Sequence, residues 1–153
     1  MNIIFDLETD GLLPDVSKIH CLAMTIEGAQ ASQIFANEDQ YDNLEQALEL
    51  MYAAEGLIGH NILGYDLPVL KKLLGWVPYK ETKISDTLVV SRLAYSHMMT
   101  LDSKKKHIPT KLYGSHSLKA WGYRLDMLKG EFNHEDTDWS TFTNEMADYC
   151  ARD

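Results

Sequence analysis

The sequence predicts an α/β layered domain whose first strands form an antiparallel meander. Three observations support this prediction. A short apolar run at residues 3–5 opens the chain and stops at a carboxylate. Two further apolar runs, at 21–26 and 33–35, flank a Glu-Gly turn signal that is typical of a hairpin. From Leu44 onward, apolar residues recur at the spacing of a helix rather than a strand.

The middle of the chain alternates helices with short strands. The first predicted helix has an apolar face made of Leu44, Ala47, Leu48 and Met51. A short apolar strand is predicted at 56–61. The next helix has Pro68 near its start, where a helix accepts proline, and its apolar face continues to Gly75.

The second half of the chain is predicted to be mainly helical. The segment Ile84-Ser85-Asp86 precedes a predicted helix over Thr87 to Tyr95. A polar, basic loop is predicted to span roughly 99–114. Either Ser115 or Ser117 caps the helix that follows. Acidic side chains precede a final helix, where the helix dipole favours negative charge: Glu135, Asp136 and Asp138.

Composition bounds the class of protein. A chain of 153 residues is the usual size of one domain, which is predicted here over 1–153. Its formal net charge of −9 argues against a protein that coats nucleic acid without sequence preference, because such binding needs a positive surface. The two cysteines are too few and too far apart to indicate a disulfide framework or a zinc site. No signal segment and no apolar run of membrane length is evident, so we expect a soluble, intracellular protein without a membrane partner.

The first strand carries a pair of carboxylates at its end. Asp6 and Glu8 are two residues apart, so their side chains point to the same face of the strand. Two carboxylates in this arrangement can share one hard cation through oxygen ligands. The alternative is an ordinary pair of surface carboxylates on an edge strand.

A third carboxylate follows the strand predicted at 56–61. Asp66 opens the helix that contains Pro68, where an aspartate is also an ordinary helix cap. Asn61, five residues earlier, has two equally open roles: a hydrogen bond to substrate or a brace within the loop.

The last helix ends with a phenol and a carboxylate. Tyr149 and Asp153 are four residues apart and therefore lie on one helix face. They close a stripe with Phe142 and Met146, and a carboxylate at the end of an apolar stripe is costly unless a cation or donor meets it. The alternative is a core-facing tyrosine followed by a frayed terminus.

Taken together, these motifs resemble those of the DEDD superfamily of 3′→5′ exonucleases, in the subgroup with a catalytic tyrosine. The resemblance rests on Asp-x-Glu-Thr, Asn-x-x-x-Tyr-Asp and Tyr-x-x-x-Asp in this order. It implies a ribonuclease-H-like fold with a mixed sheet and helices packed on both faces. The histidine subgroup would have its histidine at position 148, where this chain has Asp148.

Two further blocks narrow the resemblance. Residues 85–93 (Ser-Asp-Thr-Leu-Val-Val-Ser-Arg-Leu) and 114–125 (Gly-Ser-His-Ser-Leu-Lys-Ala-Trp-Gly-Tyr-Arg-Leu) are similar to the proofreading exonuclease domain of family A DNA polymerases of short-tailed bacteriophages. This resemblance covers essentially the whole chain. It implies a polymerase domain in the full-length protein, action in the cytoplasm of an infected bacterial cell, and a monomer. The chain is expected to be a truncated domain, because it ends at a proposed ligand.

The resemblance also implies roles for particular residues. Asp6, Glu8, Asp66 and Asp153 would hold two Mg²⁺ ions, for which Mn²⁺ can substitute, and Tyr149 would orient the attacking water. Contact with a single-stranded DNA 3′ end would come from six side chains: Thr9, Leu12, Asn61, Lys104, Lys105 and Lys106. The three lysines are equally open to being a solvated loop.

The sequence is also compatible with two other functions. One is a stand-alone exonuclease that acts on short RNA or DNA. The other is a module of the same fold that binds strand ends with weak or no catalysis.

Overall fold

The computed structural model describes residues 1–127 and 138–152. Within these residues the chain forms two compact units. The first contains residues 1–86 and 138–152, and the second contains residues 87–127.

A mixed sheet of five strands forms the centre of the first unit. The strands are β1 (Asn2–Thr9), β2 (Ile19–Ile26), β3 (Gln33–Phe35), β4 (Gly56–Gly59) and β5 (Lys83–Asp86), in the spatial order β3-β2-β1-β4-β5. Strands β1, β2 and β3 pair antiparallel, whereas β4 and β5 run parallel to β1. The predicted antiparallel meander is therefore confirmed, and parallel strands extend it on the other side of β1.

Six α-helices accompany these strands in the described residues: α1 (Leu44–Tyr52), α2 (Asp66–Leu74), α3 (Thr87–Ala94), α4 (Met98–Asp102), α5 (Leu118–Leu125) and α6 (Asn144–Cys150). In the first unit, α1 and α2 pack on one face of the sheet through buried residues such as Met51 and Leu70. On the other face α6 packs through Ala147 and Cys150. The prediction of helices on both faces is confirmed for this unit.

The alternation of β1 positions the polar side chains. Ile3, Phe5 and Leu7 are buried in the core shared with α1 and α2. Because successive side chains of a strand point to opposite faces, Asp6 and Glu8 lie on the α6 side of the sheet. The strand period thus separates the apolar core from the acidic pair.

Local capping explains where two of the helices begin. The side chain of Asn43 accepts from the amide of Gln46 and starts α1, and Thr143 accepts from the amide of Met146 and starts α6. The start of α6 therefore depends on an ordinary N-cap. Of the acidic residues that the sequence placed before this helix, Glu135 and Asp136 lie outside the described residues, whereas Asp138 is described.

The second unit holds α3, α4 and α5. Ser117, rather than Ser115, caps α5 by accepting from the amide of Ala120. Residues 99–114 are not a simple loop, as the sequence suggested, because they include most of α4 and a 3₁₀ turn at Thr110–Leu112. Helix α4 forms here because Met98 and Asp102, four residues apart, are both buried on one side of it.

A buried ion pair holds α4 against α5. Arg124 donates from Nε and Nη2 to the carboxylate of Asp102 at 3.0 and 2.7 Å, and Nη2 also donates to the carbonyl of Ser115 at 2.6 Å. The amide of Gly114 donates to the same carboxylate at 2.8 Å. These bonds, those from Arg124 above all, lower the pKa of Asp102.

Across residues 1–127 and 138–152, no helix has the length and apolar character needed to cross a bilayer.

Candidate metal centre

Asp6 and Glu8 lie together at the end of β1. The register of β1 against β2 shifts between Glu8 and Thr9, so regular pairing is interrupted directly after the acidic pair. One oxygen of Asp6, one oxygen of Glu8 and the sulfur of Cys150 lie within 4.8 Å of one another. The same-face arrangement predicted from the sequence is present, and it brings potential ligand atoms within reach of a single cation.

Cys150 completes this cluster without being a suitable ligand for a hard cation. Its thiol donates to the main-chain carbonyl of Asp6 at 3.5 Å. A hydrogen bond with the buried Cys21 and burial itself raise the pKa of Cys150 well above its ordinary value. The sulfur therefore stays protonated, and it packs beneath Asp6 as a structural contact. This contact could not be predicted from the sequence, because the two cysteines lie on elements far apart in the chain.

Asp66 reaches the same region from the other face of the sheet. It is the first residue of α2 and only 2% exposed, and its Oδ1 accepts from the amide of Leu7 at 3.1 Å. It is not a side-chain cap, because the N-cap of α2 is Tyr65 and makes no side-chain capping bond. Asp66 thus binds the main chain of β1 between the two carboxylates of that strand.

Burial and a neighbouring like charge determine the protonation of Asp66. Burial, together with the neighbouring charge of Asp6, raises the pKa of Asp66 to about 8. A buried carboxylate next to a like charge is stable when a cation or donors compensate it. The side chains therefore suit a hard divalent cation, because Asp6, Glu8 and Asp66 supply oxygen donors and negative charge.

Tyr149 belongs to the same neighbourhood. It is half-buried near the end of α6, and burial raises the pKa of its phenol, to which the charges of Glu8 and Asp6 also contribute. The phenol therefore keeps its proton at neutral pH and can act as an O–H donor rather than as a base. Asp153, predicted to complete the ligand set from this helix, lies outside the described residues.

The predicted substrate residues of the first unit differ in what they expose. The hydroxyl of the buried Thr9 donates to the carbonyl of Gly11 at 3.0 Å, whereas Leu12 is 76% exposed. The side chain of Asn61 is exposed, and its backbone is left-handed, with φ of 67°. Leu12 and Asn61 are thus accessible, and Thr9 is part of the loop's internal hydrogen bonding.

The lysines at 104–106 lie in the second unit, in exposed turns that follow α4. Their accessibility is compatible with phosphate contact and with a solvated loop, so their role remains a prediction.

Two residues near the cluster were not given roles from the sequence. The hydroxyl of Tyr65 donates to the carbonyl of Gly11 at 2.6 Å and also lies against the hydroxyl of Thr9. The buried carboxylate of Asp86 accepts from the amides of Asn61 and Leu63. Both residues stood inside recognised motifs, but their backbone partners are far away in the sequence.

Comparison of the sequence with those of known proteins finds relatives among phage DNA polymerases. The chain is 33% identical to the DNA-directed DNA polymerase of Escherichia phage T7 and 31% identical to that of Enterobacteria phage T3, and each match covers 99% of the chain. The chain is homologous to phage DNA polymerases. It spans about a quarter of the length of these curated relatives, since the matches cover 25% of each. No protein-family model matches the chain.

Solved nucleases share its fold. Brucella melitensis NrnC with bound Mg²⁺ superimposes with a TM-score of 0.68 at 20% identity, over 99% of this chain and 65% of that one. The zinc-bound form of the E. coli ExoI–ssDNA complex superimposes with a TM-score of 0.54 at 16% identity, over 99% of this chain and 38% of that one. The predicted ribonuclease-H-like fold is confirmed.

Proposed function

We propose that the chain is a metal-dependent 3′→5′ exonuclease domain that hydrolyses the terminal phosphodiester of single-stranded or frayed DNA ends. It would release nucleoside 5′-monophosphates and proofread for a DNA polymerase. The observation that carries the proposal is the pairing of Asp6 and Glu8 at the end of β1, with Asp66 bound to the amide of Leu7 between them and within reach of the charge of Asp6. Homology to phage DNA polymerases supports DNA as the substrate and replication as the context.

The proposed cofactor is Mg²⁺, bound as two ions, with Mn²⁺ able to substitute. The residues that would hold it are Asp6, Glu8, Asp66 and Asp153. The raised pKa of Asp66 supports this, because the charge that burial disfavours is the charge a cation would stabilise. A solved neighbour, NrnC, is described with bound Mg²⁺. When bound, divalent cations lower the pKa of water and stabilise charge that develops on a phosphate.

The side chains themselves have two tasks in this proposal. The phenol of Tyr149 donates its O–H to orient the attacking water for in-line attack on the last phosphodiester. The carboxylates of Asp6 and Asp66 would hold the cations, which would supply positive charge for the scissile phosphate. Tyr149 does not act as a base, because burial and two neighbouring carboxylates keep its pKa high.

The substrate would enter past the exposed residues at the end of β1. Leu12 would press against the terminal base and Asn61 would contact the strand end, with Thr9 beside them. Unpaired bases can pack on apolar side chains without sequence readout, which suits proofreading. The lysines at 104–106 would contact the phosphate backbone. A solved neighbour of the same fold, ExoI, is described in complex with single-stranded DNA.

The proposed context is a monomeric protein in the cytoplasm of an infected bacterial cell. Residues 1–153 would serve as the exonuclease domain, and a polymerase domain would be its partner in the full-length protein. The relatives that support this are polymerases about four times as long as the matched region, since it covers 25% of each.

A second candidate function is a stand-alone exonuclease that acts on short RNA or DNA. One observation favours it: a solved neighbour, Brucella melitensis NrnC, is described bound to pGG. Rates on matched DNA and RNA 3′ ends separate the two functions, because proofreading requires that DNA be degraded faster.

The test is release of mononucleotides from a 3′-labelled single strand in Mg²⁺, repeated in Mn²⁺. Wild type should release them, Asp6→Ala should not, and Asp138→Asn, at an exposed surface turn, should behave as wild type. Circular dichroism checks that each variant is folded. If folded wild type binds the strand but releases nothing with either metal, the chain is a non-catalytic end-binding module.

A further inference from the structure

We propose that Asp86 is a positioning residue for Asp66 and Asn61, an inference that rests on the proposed function. Asp86 is the last residue of β5, lies beside Gly59 of β4 in the parallel register, and is 4% exposed. Its place at the carboxyl end of β5 brings it beneath the connection from β4 to α2. That connection carries both residues on which it acts.

The carboxylate of Asp86 binds this connection at two points. Oδ1 accepts from the amide of Asn61 at 2.9 Å, and Oδ2 accepts from the amide of Leu63 at 3.0 Å. Hydrogen bonds to an ionised acceptor are stronger than those between neutral groups. One side chain therefore fixes two peptide planes of the turn that leads into α2.

The turn itself has little freedom to adjust. The amides of Gly64 and Tyr65 both donate to the carbonyl of Asn61 at 2.9 Å, and Asn61 holds a left-handed backbone. A Cβ on Gly64 would lie 2.6 Å from the side-chain oxygen of Asn61. Because Asp66 follows this turn directly, the position of its main chain depends on how the turn is held.

Asp66 is thus held from two sides. Its main chain follows the turn that Asp86 anchors, and its side chain accepts from the amide of Leu7 on β1. Without the Asp86 anchor, the amides of Asn61 and Leu63 lose their acceptor, and the carboxylate of Asp66 should move relative to Asp6. This displacement should weaken metal affinity and slow the chemical step, and it should leave binding of the DNA strand unchanged.

The test compares wild type, Asp86→Asn and Asn43→Ala. Asparagine keeps the size of Asp86 but removes its negative charge. Its NH₂ group would face one of the two donor amides, which would then lose its acceptor. Mn²⁺ affinity per folded molecule, measured by electron paramagnetic resonance, should weaken by about 10–100-fold in Asp86→Asn, as for other residues that orient metal ligands. The value of kcat should fall to a similar extent, and KM for a single strand should stay close to that of wild type.

Asn43→Ala is the matched control, because it removes the cap of α1 and lowers stability away from the acidic cluster. It should leave Mn²⁺ affinity unchanged. A purely structural role for Asp86 would make both variants less stable and leave Mn²⁺ affinity per folded molecule equal to that of wild type, and this result would overturn the inference.

Hydrogen exchange on the wild-type protein gives a second measurement that does not depend on the variant folding. Mg²⁺ should slow exchange of the Asn61 and Leu63 amides, because the turn and Asp66 are ordered together, and unchanged exchange would count against the inference. Wild type that binds Mn²⁺ but releases no nucleotides would defeat the proposed function alone, since Mn²⁺ affinity still tests Asp86.

Discussion

The ionisation of Asp66 should make the metal-free protein less stable as the pH rises. Its pKa is raised from 3.8 to about 8 in the folded protein. Below pH 4 the carboxyl is protonated in both the folded and the unfolded chain. Between pH 4 and pH 8 the unfolded chain has released this proton and the folded chain retains it, so the free energy of unfolding falls with rising pH and levels off above pH 8.

The size of the effect follows from the two pKa values. Each pH unit inside this window changes the free energy of unfolding by about 1.4 kcal/mol, which gives a loss of up to about 4 kcal/mol between pH 5 and pH 8. In Asp66→Asn the amide oxygen can still accept from the amide of Leu7, but nothing titrates at this position. The variant should therefore lose much less stability over the same range and should be more stable than wild type at pH 8.

Urea unfolding in the presence of EDTA, repeated at several pH values, measures this difference. Asp138→Asn is the control, because Asp138 is exposed and bonds to Ser140 hold its pKa below the ordinary value. Added Mg²⁺ should raise the melting temperature of wild type more at pH 8 than at pH 5 and should affect Asp66→Asn little. Parallel pH curves for wild type and Asp66→Asn would refute the reasoning, since they would mean that Asp66 ionises as easily when folded as when unfolded.

Three further predictions concern the phenol, the basic turn and the buried ion pair. Tyr149→Phe should slow nucleotide release by about 100-fold while calorimetry finds Mn²⁺ affinity unchanged, because only the hydroxyl that orients the water is lost; an equal rate would exclude the proposed role of the phenol. Replacing the lysines at 104–106 with alanine should weaken single-strand binding and flatten its salt dependence in fluorescence anisotropy, whereas an unchanged slope would remove them from the binding surface. Arg124→Ala should lower the free energy of urea unfolding by about 3–5 kcal/mol, because it leaves Asp102 buried without its cation; a loss below about 1 kcal/mol would mean that water reaches this carboxylate.

Sequence reasoning succeeded where a period determines the structure. The two-residue period of a strand is sufficient to predict that Asp6 and Glu8 share a face, and the structure agrees. The antiparallel meander was predictable for a similar reason. Two apolar strands that are joined by a short turn can pair with each other in few ways other than antiparallel. Both depend on contacts between residues that are near in the chain or related by regular geometry.

The sequence was less informative where a position depends on distant partners. Whether Asp66 is a cap or a member of the cluster could not be decided from its place before a helix, since its bond to Leu7 joins residues 59 apart. Helix α4 lies in the segment that the sequence predicts to be a loop, because its burial depends on the ion pair of Asp102 with Arg124, 22 residues away. The anchoring role of Asp86 was missed for the same reason, since its partners are backbone amides and carry no residue signature.

The burial of both native thiols has a practical use. Cys21 and Cys150 are enclosed in the first unit, and a raised pKa keeps Cys150 from forming the reactive thiolate. A maleimide dye should therefore attach to one cysteine introduced at an accessible position such as Leu12, with no need to replace the native pair. A fluorophore there would sit at the proposed entry of the strand and report the arrival of DNA in real time.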